Sequence, residues 1–308
     1  MGFRRVLRPG LVQIRVLDLD KTLRFYTDIL GLDMVGRTPD GRVMLKGYDE
    51  FDHHSVTLRK ADEAGLDYIA YKVCGPNTLE RLKEETTAFG YRVDEIPANT
   101  EQPGFGKRYS FRISTGHIFQ LYSEVDFAEK GPQIYNPDIW TEPPRGMRAR
   151  FMDHALLYGP HINEAELYCK EVLGMYAPEV CDNPDGSRLA VWLTSGNKAH
   201  DVAFVEYPRP GKLHHLGFNL PEWADVGNAA DWMAINNLRL DIGPTRHAIT
   251  RGYSIYFWEH SGNRIEVYAG GYVAYPDHPQ RVWDAAQLGR GLFYYSGEVI
   301  PSFLEIVT

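Results

Sequence analysis

Cysteine is scarce in this chain. Cys74, Cys169 and Cys181 are odd in number and show no CxxC spacing, so neither a disulfide framework nor a thiolate zinc site is expected. Long apolar runs are absent too: nothing approaches the ~20 residues that a membrane-spanning helix needs. Met1 to Val6 is followed by no apolar segment of a secretion signal and holds no Ser or Thr for acylation. Positive charge is in short supply, with 33 Lys and Arg against 41 Asp and Glu and a net charge of -8, which argues against bulk nucleic-acid binding. The expectation is a soluble, cytoplasmic protein with no nucleic-acid and no membrane partner. About a small substrate these absences say nothing. The 308 residues, 44% of them hydrophobic, suffice for two domains of ordinary size, each with its own core.

What the chain does have is one pattern written twice. Leu11 to Gly31 and His154 to Gly174 each run from a strand start, through a helix, to Leu-Gly. Pro39-Asp40-Gly41 answers Pro184-Asp185-Gly186, and Ser114-Thr115-Gly116 answers Ser261-Gly262. The offset between copies drifts only between about 143 and 147, as small loop insertions in a duplicated domain would give. In the first copy, a strand over 11–16 precedes the N-cap candidates Asp18 and Asp20 and a helical stripe of Leu23, Tyr26 and Leu30. Strands over 42–46 and 55–58, a strand near Tyr68 with a helix over 77–89, and a hairpin over 107–122 follow. The second copy repeats this with strands over 188–194, 201–207 and 215–220, a helix over 223–236 and a hairpin over 254–268. Each copy therefore reads as two βαβββ units. Six prolines and glycines between Glu124 and Arg150 mark a connection. The expected division is a first domain over 1–130, a linker over 131–150, a second domain over 151–270 and a tail over 271–308.

Superimposing the copies sets His154 on Leu11, His215 on Tyr68 and Glu266 on Gln120. Three metal-type ligands in one half thus face three non-ligands in the other. Strand alternation supports the choice: His215, Gly217 and Asn219 share one face, with His214, Leu216, Phe218 and Leu220 on the other. Likewise Glu266 shares a face with Arg264 and Tyr268, away from Ile265 and Val267. Taken singly, a strand His is usually hydrogen-bonded structure and a Glu of this kind usually faces solvent. As a set, two His and one carboxylate at equivalent strand positions of one repeat form the facial triad of non-haem Fe(II) oxygenases. His247 on its own reads equally well as an exposed loop residue, Tyr256 as a barrel-lining aromatic, and His200 as a core His sharing a strand face with Val202, Phe204 and Glu206. His53, His54, His161, His260 and His278 suggest no ligand position.

The chain resembles the extradiol ring-cleaving dioxygenases of the vicinal-oxygen-chelate superfamily, and within them the catechol 2,3-dioxygenase branch. The resemblance runs nearly end to end, through Arg8-Pro9-Gly10, Asp153-His154-Ala155-Leu156, Lys198-Ala199-His200-Asp201, Leu213-His214-His215, Gly243-Pro244-Thr245-Arg246-His247, Ile255-Tyr256-Phe257, Asn263-Arg264 before Glu266, and Tyr275-Pro276-Asp277-His278. It implies an α+β fold of two tandem domains, each of two βαβββ modules forming an open barrel, with one Fe(II) per chain in the second domain only. His154, His215 and Glu266 are then the iron ligands, and His200, His247 and Tyr256 the catalytic groups around them. The implied reaction is O2-dependent ring opening of catechol or alkylcatechols to 2-hydroxymuconic semialdehydes, in the breakdown of aromatic compounds. Ile249, Leu292 and Phe303 are candidates for an apolar substrate pocket, with the aromatic tail near its mouth. A homo-oligomer, commonly a tetramer, is the family's habit. A bicyclic catechol of the 2,3-dihydroxybiphenyl type is the alternative substrate. A glyoxalase-type lyase or isomerase, distinguishable by activity under argon, and a metal-free binding protein, distinguishable by iron content, are the rivals.

Overall fold

The computed structural model describes residues 5–308. The first half opens with β1 (Val6–Val16), passes through α1 (Leu19–Arg24) and a π-helical turn at Phe25–Ile29, and continues as β2 (Asp33–Arg37), β3 (Val43–Lys46) and β4 (Val56–Lys60). The second unit repeats the order with β5 (Gly65–Val73), α2 (Pro76–Phe89), β6 (Val93–Ile96), β7 (Arg108–Arg112) and β8 (Ile118–Tyr122). Local chemistry sets the helix ends. Asp18 accepts the Lys21 backbone N–H at 3.1 Å, and α2 starts with Pro76 and stops at Gly90, whose φ of 115° suits a residue without Cβ. The eight strands form one sheet in the order β2-β3-β4-β1-β5-β8-β7-β6. The first strand of each unit therefore sits at the centre.

The second half follows the same plan with β9 (Phe151–Gly159), α3 (Ile162–Glu171), β10 (Tyr176–Asp182), β11 (Arg188–Thr194) and β12 (Val202–Glu206), then β13 (Lys212–Asn219), α4 (Trp223–Ile235), β14 (Leu240–Arg246), β15 (Gly252–Trp258) and β16 (Arg264–Gly270). Two tandem domains of mixed sheet with few helices make the chain α+β, as the repeat predicts. The duplication is visible in strand register. Leu11 pairs with Ala70 and Ala70 with Gln120, while His154 pairs with Gly217 and Gly217 with Glu266. One hydrophobic core runs through both halves, with Phe25 against Phe257 at 5.8 Å and Phe119 against Phe204 at 6.3 Å between ring centroids. Each such fully buried aromatic stabilises the fold by about 2 kcal/mol.

Two expectations change. The segment after Gly271 is not only a tail: β17 (Arg281–Asp284) pairs in parallel with β10 and becomes the ninth strand of the second sheet, followed by α5 (Leu288–Leu292) and α6 (Pro301–Glu305). The alternation through Leu213–Leu220 is also broken. A register shift between Leu213 and His215 puts Leu213 and Leu216 in the helix-facing core and turns both His214 and His215 the other way, where His214 stacks on Tyr158 at 5.0 Å. Among the described residues no helix is long and apolar enough to cross a membrane.

Candidate active site

His154, His215 and Glu266 come from β9, β13 and β16, three neighbouring strands of the second sheet. Their register places Gly217 between His154 and Glu266. A Cβ on Gly217 would lie 2.2 Å from Cε1 of His154, so glycine is what lets the imidazole lie flat across that strand. All three side chains are buried. Glu266 Oε2 stands 2.8 Å from His154 Nε2 and 3.1 Å from His215 Nε2, and the two nitrogens are 3.3 Å apart. A divalent ion bonded to its ligands at about 2.1 Å in octahedral geometry spaces adjacent donors about 3 Å apart. The triangle therefore has the dimensions of one octahedral face, and the donor set is of the kind that holds iron or manganese. Among the described residues it is the one such group.

Each donor is aimed by a further partner. His154 donates Nδ1–H to Asp153 Oδ2 at 2.8 Å, while Lys198 sits 2.8 Å from the other Asp153 oxygen and 3.0 Å from Asp201. Burial alone would raise the Asp153 carboxyl, but Lys198 and His154 hold it well below the usual carboxylate range. Burial opposes a charge on His154, yet Asp153 and Glu266 raise it to about 9 in the metal-free protein. Burial also works against a charged Glu266, but the bond from His154 above all keeps it ionised. Its second oxygen accepts from the Tyr256 hydroxyl at 2.6 Å, and that hydroxyl lies 2.7 Å from His247 Nε2. His247 Nδ1 in turn bonds the Leu292 carbonyl. Burial, then Glu266, push the Tyr256 hydroxyl far above its ordinary value, so it stays protonated. His200 stands with its ring 4.2 Å from that of His154, in the loop before β12 rather than on the strand, so it is not a core residue of that strand face. Burial, together with the neighbouring His154, lowers its basicity far below that of a free imidazole.

These residues line one cleft. All nine candidates from the sequence meet there: His154, His215, Glu266, His200, His247, Tyr256, Ile249, Leu292 and Phe303. Sequence reasoning missed Leu156 and Trp192 in the apolar wall, and Tyr272. For Leu156 the signal was present, since it shares the His154 face of β9 by simple alternation. Trp192, with four strands between it and Tyr256 in the sheet order, lines the same cleft, so the sheet wraps around it. In the first half the corresponding space is filled. Arg108 donates to Gln120 Oε1 at 2.9 Å, and Gln102 donates to the Tyr68 hydroxyl at 2.6 Å.

Residues 66–126 match the catechol 2,3-dioxygenase-like N-terminal domain, and residues 151–267 the glyoxalase/bleomycin resistance protein/dioxygenase superfamily. The chain is 42% identical over 304 residues to a metapyrocatechase from Pseudomonas sp. strain CF600, covering 98% of this chain and 99% of that one. It belongs to the extradiol ring-cleaving dioxygenases. The enzyme is also 28% identical to a manganese-dependent 2,3-dihydroxybiphenyl 1,2-dioxygenase from Geobacillus genomosp. 3, with 96% of each chain covered. Among solved structures, the 2,3-dioxygenase LapB from Pseudomonas sp. KL28 superimposes with a TM-score of 0.88 at 44% identity, over 92% of this chain and 99% of that one. Homoprotocatechuate 2,3-dioxygenase from Arthrobacter globiformis does so with a TM-score of 0.88 at 25% identity, over 99% of this chain and 92% of that one.

Proposed function

We propose that this dioxygenase opens catechol or a small alkylcatechol next to its diol, using O2 and one Fe(II) per chain held by His154, His215 and Glu266. The donor triangle carries the reading, because with edges of 2.8, 3.1 and 3.3 Å its three donors would hold one divalent ion at the wall of a cleft that can admit exogenous ligands. Ferrous iron held by these two imidazoles and one carboxylate would carry a formal charge of +1, suited to a catechol monoanion, and would supply template and Lewis-acid chemistry toward O2.

The protein's own groups manage the protons. His200, its ring beside His154 in the cleft, is the group placed to pass a proton between the diol and oxygen during turnover. Tyr256 stays protonated and, with His247, gives one side of the bound diol fixed hydrogen-bonding partners. The two substrate oxygens are thereby made inequivalent. Trp192, Leu156, Ile249, Leu292 and Phe303 supply an apolar wall for the ring and its alkyl group. Lys198, the ammonium at the cleft, is already tied to Asp153 and Asp201, which favours substrates without a carboxylate. Ile134, Tyr135 and Ile139, exposed together on the segment between the sheets, support self-association, and a tetramer is the expected state. Three unpaired cysteines support a reducing, cytoplasmic setting.

Purified enzyme, assayed for iron and manganese, is tested with catechol in air. The reading requires a yellow semialdehyde that fades on acidification, with one O2 consumed per ring opened. A colourless muconate with O2 uptake, or yellow product formed under argon, refutes it. Steady-state comparison of catechol, methylcatechols and 2,3-dihydroxybiphenyl ranks the substrates.

A further inference from the structure

His214, beside the candidate ligand His215, has no part in the chemistry described above, yet it is almost wholly buried and both of its ring nitrogens are engaged. Nε2 lies 2.6 Å from the backbone carbonyl oxygen of Phe303 in α6, and Nδ1 lies 2.7 Å from Nδ1 of His215. A carbonyl oxygen can only accept, so the His214 proton sits on Nε2. Its Nδ1 then offers a lone pair, and His215 must donate Nδ1–H to it. That leaves Nε2 of His215 unprotonated and facing Glu266 and His154. The ring of His214 is locked by stacking on Tyr158 and by an edge contact with Phe303 at 4.7 Å. The neighbour on the Glu266 strand behaves in parallel: Arg264 Nη1 donates to the Ile306 carbonyl at 2.9 Å, and its Nε to Asp241 at 2.8 Å. Leu213 and Thr308 exchange both backbone hydrogen bonds, at 2.8 and 3.0 Å. The segment that supplies Phe303 to the cleft is thus fastened through residues within two positions of two of the three donors.

We propose that His214 is a positioning residue with two jobs: it fixes the metal-binding tautomer of His215, and it transmits the state of the metal site to α6. This rests on the reading of His154, His215 and Glu266 as a metal site. The backbone carbonyl of Phe303 acts as the far end of a relay, carbonyl to His214 to His215, in which the carbonyl, able only to accept, sets the direction of both hydrogen bonds. Metal held by His215 stiffens the relay and keeps α6 on the cleft. Loss of the metal frees the His215 ring to turn and to exchange tautomers, and α6 loosens.

Three substitutions separate the jobs. His214→Asn keeps an acceptor oxygen near the Nδ1 position and loses the bond to Phe303. His214→Gln keeps a donor near the Nε2 position and loses the acceptor. His214→Leu loses both. Ferrous iron is loaded under argon, its release to a chromogenic chelator is followed, and amide exchange over residues 301–306 is measured with and without the metal. Outer partners of ligating histidines are worth about 10–100-fold in affinity. Iron release should therefore quicken by about that factor in the Gln and Leu variants and stay near wild type in Asn. Exchange over 301–306 should rise on metal removal in the wild type, and be high with or without metal in Asn and Leu. Wild-type release rates in Gln and Leu, or wild-type exchange in Asn, overturn the proposal. Wild-type enzyme that holds no iron overturns the metal reading instead, and thermal unfolding of the Asn variant reports whether the position tolerates change at all.

Discussion

Replacing His200 by alanine tests the division of labour in the cleft. The three donor atoms are oriented by Asp153, His214 and Tyr256, and His200 touches the His154 ring face without bonding any of them. Its removal should leave metal content and anaerobic catechol affinity close to wild type. What is lost is a neutral imidazole that takes and returns a proton. Such groups typically contribute 10²–10⁴-fold, or about 3–5 kcal/mol of barrier. Turnover should drop by that factor with little change in KM, measured as semialdehyde formation and O2 uptake, with iron assayed on the same sample. Because burial and His154 hold the imidazole well below its ordinary basicity, the wild-type profile should show no fall in activity on acidification through pH 6.5 that the variant lacks. Loss of iron in the variant, or turnover within about threefold of wild type, would refute the reasoning.

Chelation should remove one iron per chain and all activity, with ferrous salt and a reductant restoring it, and neither His215→Ala nor Glu266→Ala should retain iron at wild-type occupancy; two tightly held ions per chain would contradict this. Ile249→Ala, which hollows the apolar wall, should shift the ratio of kcat/KM for a longer alkylcatechol over catechol upward by about tenfold; an unchanged ratio would place the alkyl group elsewhere. Glu50, which accepts from Ser55 at 2.6 Å and from the Met152 backbone at 3.3 Å, is pushed by burial up to about 7 from an unfolded value of 4.5. The unfolded chain therefore loses this proton first as pH rises, so the contribution of Glu50 is complete below about pH 4.5 and fades toward pH 7. Relative to Glu50→Gln, wild-type stability in urea should fall by about 3 kcal/mol across that window, and parallel curves would rule the titration out.

Much of the fold was legible because duplication imposes its own ruler. Leu-Gly at 30–31 and 173–174, and the strands that carry Leu11 and His154, mark equivalent places whatever lies between them. The strands that the sequence hides are instructive. Four of the five, β2, β6, β14 and β17, stand at sheet edges, where one face or both meet solvent and alternation fades; the fifth, β10, lies second from the edge and is covered by β17. β14 also carries Gly243-Pro244, a breaker that an edge tolerates because no partner needs its missing N–H. The site was legible where alternation held: Glu266 and Tyr268 on β16, His154 and Leu156 on β9. It failed at His214, where one extra residue in β13 reverses the facing of the side chain. No residue type announces such a bulge, so the relay to Phe303 is visible only in three dimensions.

The first half poses the converse question of what would restore a second site. The substitutions Leu11→His, Tyr68→His and Gln120→Glu would copy the donor set, and the register matches strand for strand. They should still fail. Arg108 pairs with Tyr122 as Ser254 pairs with Tyr268, so it occupies the position that a small hydroxyl holds in the second half, and its guanidinium already bonds Gln120 Oε1 at 2.9 Å. It is fully buried and has no carboxylate among its hydrogen-bond partners, which are Gln120 and the Thr100 carbonyl. A glutamate at 120 would become its counter-ion, and a cation about 4 Å from a metal costs about 4 kcal/mol per unit of metal charge in an environment of intermediate dielectric. The triple variant should bind one iron per chain, and addition of Arg108→Ser should raise the count toward two, read by metal analysis after anaerobic gel filtration; in a His215→Ala background the same addition should raise it from near zero toward one. A second iron held in the triple variant with Arg108 in place would show that the guanidinium is not what keeps the first half metal-free.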